Sequence, residues 1–185
     1  MGEKGLTFRA ATIHDAPFVA VVMMEAVGKE YMERGVEPSG HVLEVCRRDD
    51  TLYSYKNAVI AMLDGKPVGA LISYPGEGYH EVKVRTFAPI RDLLDFDPMA
   101  MDDETRAGEY YLDSAAVLPE YRGRGYGRAV IEHGMQLAKR MDKVAVLACD
   151  PDNTGAYDLY TSLGFKVDGT LHIFGEDYLR MVCLL

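Results

Sequence analysis

A chain of 185 residues, 48% hydrophobic and 26% charged, is long enough to bury a core and fits one domain spanning residues 1–185. Its net charge of −9 and pI of about 5.0 argue against nucleic acid as a partner and favour cationic partners. Three scattered cysteines without a C-x-x-C pair argue against a disulfide framework, the five histidines show no metal-ligand spacing, and neither an apolar leader nor a membrane-length run occurs, so a cytoplasmic protein without metal is expected.

Leu6–Ala10 reads as a first strand. Two starts compete for the helix that follows: a Thr12/Asp15 capping box, or Asp15 as the cap with Pro17 in the first turn. Either way Phe18–Val27 is an apolar helix, and Met23 and Met24 read as core packing. A charged connection follows Gly28. A second helix over about Ser39–Arg48 turns Val42, Leu43, Val45 and Cys46 inward. The apolar runs Asn57–Leu63 and Pro67–Tyr74, joined by Asp64-Gly65-Lys66, form a hairpin, because Asp-Gly suits the tight turn between paired strands. Tyr53 and Tyr55, just before it, either line a pocket or pack at the strand entrance. Farther on, Phe87, Ile90, Leu93 and Leu94 stand at helical spacing, which predicts one amphipathic helix around Arg85–Asp95. Asp97, Asp102, Asp103 and Glu104 then make an acidic loop, which either draws a cationic substrate or is a solvated face.

Tyr110–Val117 is an apolar strand with one carboxylate, Asp113, set into it. Leu118, Pro119 and Glu120 end that run. Arg122-Gly123-Arg124-Gly125-Tyr126-Gly127-Arg128 then leads into a helix with Tyr126, Val130, Gly134, Leu137 and Met141 on one stripe. Glycines let several backbone N–H groups turn toward one point, and the new helix adds its unpaired N–H groups and positive dipole end. With the arginine charges, this makes a socket for a multiply charged anion such as a pyrophosphate. The pattern is neither G-x-G-x-x-G, since Arg128 stands at the third glycine, nor a P-loop. Lys143–Ala148 is a further short buried strand, and Cys149 after it reads as a buried small residue. In Asp150–Phe165, Asn153 caps a helix, Gly164 stops it, and Asn153, Ala156 and Tyr160 share a face. Tyr178–Leu185 looks like a last strand and a candidate element of a homodimer. Strands alternating with helices predict an α/β sheet.

Arg122-x-x-Gly125-x-Gly127 after a V-x-P-E-Y run resembles the acetyl-CoA-binding motif of the GCN5-related N-acetyltransferase (GNAT) superfamily. Asn153, Ala156, Leu159, Tyr160, Gly164 and Phe165 match its second motif, N-x-x-A-x-x-L-Y-x-x-x-G-F, with complete spacing. The resemblance spans about Tyr110–Phe165. It implies an acyl-CoA N-acyltransferase fold, a mixed sheet of about six to seven strands flanked by helices and splayed between strands four and five. Family members join strands three and four by a short connection, so residues 75–108 stand out as an acidic insertion.

By resemblance, acetyl-CoA is the co-substrate and a primary amine, free or on a peptide, is the acceptor, which attacks the thioester directly in a ternary complex. Arg122, Gly123, Arg124, Gly125, Tyr126, Gly127 and Arg128 would grip the pyrophosphate. Ala115, Ala116 and Val117 would pair with the pantetheine, with a backbone N–H near Val117 at the acetyl oxygen. Asn153 and Tyr160 would complete the cofactor site, Tyr160 as general acid. Asn153 as a simple cap and Tyr160 as a core tyrosine are the structural alternatives. The base is Asp113, or a water relay to Glu109, Asp113 or Tyr111, since the glutamate that histone-type members carry at the position of Tyr111 is absent. Asp113 as a purely structural acid stands beside that reading. A non-catalytic acyl-CoA-binding domain and an adenine-nucleotide module are the other functional readings.

Overall fold

The computed structural model describes residues 5–33, 39–93 and 97–185. Asp64 and Gly65 take φ values of 48° and 77°, the turn conformation whose twist matches that of paired strands. They join β2 (Ala58–Leu63) to β3 (Lys66–Pro75), as the Asp-Gly pair predicts. β1 (Leu6–Ala10) pairs antiparallel with β2, from Leu6 opposite Leu63 to Ala10 opposite Val59. The remaining strands are β4 (Glu109–Val117), β5 (Val144–Cys149), β6 (Lys166–Ile173) and β7 (Glu176–Cys183). Among the described residues they form a seven-stranded mixed sheet in the order β1-β2-β3-β4-β5-β7-β6. β4 and β5 run parallel, and the β5–β7 and β6–β7 pairs are antiparallel.

The chain divides into two compact units, Met1–Ser73 with Ser114–His133, and Tyr74–Asp113 with Gly134–Leu185. In the first, the Thr12/Asp15 capping box forms ahead of the first helix. A 3₁₀ turn, Ile13–Asp15, forms under Thr12, whose backbone N–H donates to Asp15 Oδ2 at 2.8 Å. The helix α1 (Ala16–Glu33) continues from it with Pro17 in its first turn, where a missing N–H costs no helical bond. Ala16, Val19, Ala20 and Met23 are buried at helical spacing, a stripe worth about 1.5–3 kcal/mol per large side chain. α1 runs past Gly28, so part of the expected charged connection is helical; residues 34–38 lie outside the described ones. α2 (Ser39–Arg47) buries Val42, Val45 and Cys46. Tyr53 is buried, in keeping with packing at the strand entrance. Gly69 on β3 has a spatial reason to be glycine: a Cβ there would stand 2.6 Å from the Ala116 carbonyl oxygen of β4.

In the second unit, residues 75–108 differ from expectation. The helix starts earlier, as α3 (Tyr79–Phe87), and a 3₁₀ segment, Ala88–Leu93, replaces its predicted C-terminal half. Pro89 explains the break, because it has no N–H to donate to the Arg85 carbonyl, while Ala88 before it keeps helical backbone. Leu94 and Asp95 lie outside the described residues. The acidic loop is held down rather than free. Asp102 exchanges bonds with His172 on β6, its N–H donating to the His172 carbonyl at 3.0 Å and its Oδ2 accepting from His172 N–H at 2.7 Å. Asp103 pairs with Lys83 at 2.5 Å, and Glu104 is buried. β7 pairs on both sides, with β5 and with β6. The stripe on the helix α4 (Tyr126–Arg140) holds at Tyr126, Val130 and Gly134, but Met141 falls beyond the helix and is 48% exposed.

Candidate functional site

The loop expected to bind an anion belongs to the first unit. β4 ends at Val117, a 3₁₀ turn (Pro119–Tyr121) follows, and Arg122 is extended. Gly123 and Gly125 have φ values of 73° and 82°, which β-carbon-bearing residues rarely adopt. A Cβ at Gly123 or Gly127 would meet nothing within 4 Å, so this face of the loop is open. Tyr126 is buried and anchors the start of α4, and Ala129 N–H is the first to close a helical bond, to Gly125 O at 3.1 Å. The N–H groups before it belong to the turn that a helix leaves without internal acceptors. Arg124 and Arg128 are exposed; Arg124 lies 5.9 Å from the Tyr121 ring, and Arg128 reaches Glu132 at 3.4 Å. Open glycines, helix N–H groups and cationic side chains form a donor set that fits a pyrophosphate.

Arg122 departs from the simple picture of a free charge. Its Nε donates to the Val117 carbonyl at 2.9 Å, and its Nη2 pairs with Glu25 of α1 at 2.5 Å. The pair is solvent-exposed and worth no more than about 1 kcal/mol, so a polyanion can displace Glu25. Ala115 and Ala116 are half-buried on the same strand end, and Val117 is buried.

The second unit holds the titratable candidates. Asp113 is half-buried, and its Oδ2 accepts from the Tyr74 hydroxyl. Tyr160 lies on α5 (Thr154–Ser162) with its ring edge-on to Phe165 at 6.0 Å. Burial pushes its hydroxyl up to about 12, with Cys149 adding to the effect, and among the described residues that hydroxyl has no hydrogen-bond partner. Asn153 is the cap of α5, its Oδ1 accepting from Ala156 N–H at 3.0 Å. Cys149 is buried and its thiol is pushed up by that burial, the opposite of a reactive cysteine.

Two of the three relay candidates are occupied elsewhere. Glu109 pairs with Arg180 at 2.5 Å and with Arg106 at 2.9 Å, and accepts from the Thr105 hydroxyl at 3.1 Å. Tyr111 is buried, its hydroxyl donates to Glu104 at 2.5 Å, and burial raises its pKa well above the usual phenol value, so it keeps its proton. Asp113 is left as the half-exposed acid. Tyr74, Tyr79 and the buried Glu104 around it were not marked by any motif or spacing. Only the run Asp102-Asp103-Glu104 hinted at them, and it reads as surface.

A profile of the acetyltransferase (GNAT) family matches residues 23–165. The chain belongs to that family, whose members use acetyl-CoA. The crystal structure of an acetyltransferase superposes with a TM-score of 0.74 at 25% identity, over 96% of this chain and 98% of that one. An N-acetyltransferase from Staphylococcus aureus Mu50 has a TM-score of 0.72 at 21% identity, over 95% and 99% of the two chains, and shares the fold. A mycothiol acetyltransferase from Streptomyces griseus subsp. griseus is 36% identical over 75 residues, which are 40% of this chain and 24% of that relative. This chain therefore matches about a quarter of that protein's length. Among the described residues no His/Cys/Asp/Glu group is arranged to hold a metal, and no helix is long and apolar enough to cross a membrane.

Proposed function

We propose that this protein transfers the acetyl group of acetyl-CoA to a primary amine by direct attack in a ternary complex. The observation that carries the reading is the open loop Arg122–Arg128, with positive φ at Gly123 and Gly125, feeding the N-terminus of α4 within a GNAT-family chain. Acetyl-CoA supplies the acetyl group as a thioester. The loop's backbone N–H groups, with Arg122, Arg124 and Arg128, bind its pyrophosphate. The backbone of Ala115, Ala116 and Val117 pairs with the pantetheine arm, and an N–H near Val117 stabilises negative charge developing on the acetyl oxygen. Holding both reactants in line supplies much of the rate.

Asp113 takes the proton from the attacking amine. Tyr160 donates a hydrogen bond to the departing sulfur. A phenol at about 12 does not surrender its proton outright to the thiolate of a thiol titrating near 8.5, a step uphill by about 5 kcal/mol. Stabilisation of the thiolate through that hydrogen bond is the role its burial supports. Asn153 holds α5 in register for it, as the cap.

The test is calorimetric titration with acetyl-CoA, with ATP as control, followed by thiol release in the presence of primary amines. Binding of acetyl-CoA alone, lost on Arg122→Glu with Arg124→Glu, supports the cofactor assignment. Binding without amine-dependent thiol release assigns the chain instead to the non-catalytic acyl-CoA-binding class.

A further inference from the structure

Glu104 is a buried acid to which the chemistry above gives no role. It is 5% exposed, and both of its oxygens are engaged, Oε1 accepting from the Tyr79 hydroxyl at 2.6 Å and Oε2 from the Tyr111 hydroxyl at 2.5 Å. A phenol has a single proton, so Tyr79 and Tyr111 both direct theirs at Glu104. Tyr74 donates to Asp113, and its ring stands 6.3 Å from that of Tyr79 and 5.9 Å from that of Tyr111. The phenols thus gather two carboxyl groups into one cluster. Lys83 of α3 is 1% exposed, but its ammonium is engaged by the Met101 carbonyl at 2.9 Å and the Asp103 carboxylate at 2.5 Å. The groups whose hydrogen bonds or charges act on Glu104 are Tyr79 and Lys83 from α3, and Tyr111 and Asp113 from β4.

Burial and the negative charge of Asp113 push the Glu104 carboxyl up to about 7, against the hydrogen bonds from Tyr111 and Tyr79 and the charge of Lys83. The repulsion is mutual, so an ionised Glu104 raises the proton affinity of Asp113 as Asp113 raises that of Glu104. An isolated carboxylate of ordinary pKa, about 3.9, is a weak base toward an ammonium near 10.4, and coupling closes part of that gap.

We propose that Glu104 is a positioning residue for acyl transfer, a buried negative charge that makes Asp113 a strong enough base to take a proton from the acceptor amine. The proposal rests on the acetyltransferase reading above. In the step itself, the ammonium N–H gives its proton to Asp113 and frees the nitrogen lone pair. The N–C bond forms, the C–S bond breaks, and the sulfur leaves with the electron pair. The second nitrogen proton passes to the sulfur, and Asp113 releases its own to solvent.

The test compares the full-length wild type with Glu104→Gln, using spermidine, lysine and a tripeptide with a free N-terminus as acceptor probes. With a probe that turns over, kcat of the wild type rises with pH through an ionisation that Glu104→Gln moves lower by about one pH unit or more, with a plateau about tenfold down. A kcat that falls without any movement of the ionisation marks a merely structural role and overturns the proposal. Carbon NMR of the side-chain carboxyls gives a second readout that needs neither that variant nor turnover. Asp113→Asn is expected to lower the Glu104 midpoint by about one pH unit or more, and an unmoved midpoint overturns the coupling. Wild type that fails to bind acetyl-CoA in calorimetry overturns the acetyltransferase reading, and this proposal with it, whatever the carboxyls do.

Discussion

Replacing Glu104 with Gln should make the protein more stable at alkaline pH, relative to wild type, than at acid pH. The folded carboxyl titrates at about 7 against an ordinary value of 4.5, raised by burial first and by the Asp113 charge second. For a group raised on folding, the stabilisation is complete below 4.5 and is lost as pH climbs through 7. At about 1.4 kcal/mol per pH unit, the loss is about 3 kcal/mol, a large share of a typical domain's stability. Gln has the same shape and does not ionise. Its carbonyl accepts from one phenol and its amide N–H donates to the other, as a protonated carboxyl would. The assay is urea unfolding of both proteins between pH 4.5 and 8. The variant-minus-wild-type stability should rise by about 3 kcal/mol over that range, moving the midpoint difference by roughly 1–2 M urea. Titrating groups that do not couple to Glu104 are common to both proteins and cancel. A difference that stays flat with pH would falsify the picture of a buried carboxyl carrying charge at neutral pH.

Glu25→Ala frees Arg122 from its 2.5 Å ion pair. Acetyl-CoA should then bind about two- to fivefold tighter in calorimetry, and unchanged affinity would show that the two anions do not compete for that guanidinium. Tyr160→Phe removes the hydroxyl but keeps the ring against Phe165; amine-dependent thiol release should fall about 100-fold with acetyl-CoA affinity close to wild type, and full activity would remove Tyr160 from the chemistry. Gly69→Ala drives a Cβ to 2.6 Å from the Ala116 carbonyl oxygen. It should cost about 1–3 kcal/mol in denaturant unfolding, and a neutral result would mean that β4 yields at that point without loss.

The elements that the sequence specifies most firmly are those whose cause lies within a few residues. Asp64-Gly65 turns because both residues tolerate positive φ, and the strands on either side follow. Gly123 and Gly125 shape the loop between β4 and α4 for the same reason. Asn153 caps α5 through a bond to Ala156 three residues on, and Gly164, at φ 94°, stops it. The family motifs sit on this local grammar, so the class of protein was legible before any coordinate.

What stayed hidden depends on partners far along the chain. Glu104 reads as one more surface acid in an acidic run, yet it is buried because Tyr79, 25 residues earlier, and Tyr111, seven residues later, both point a hydroxyl at it. Lys83 lies ahead of the helix expected over Arg85–Asp95, and it is sealed against Met101 and Asp103. Glu109 was a candidate base until Arg180, 71 residues away, claimed it. Residue type and spacing report backbone preference and the periodicity of a buried face. They do not report which charges meet once the chain has closed on itself, and the energy of a buried carboxyl depends on that meeting, through desolvation and the charges brought within a few ångströms of it.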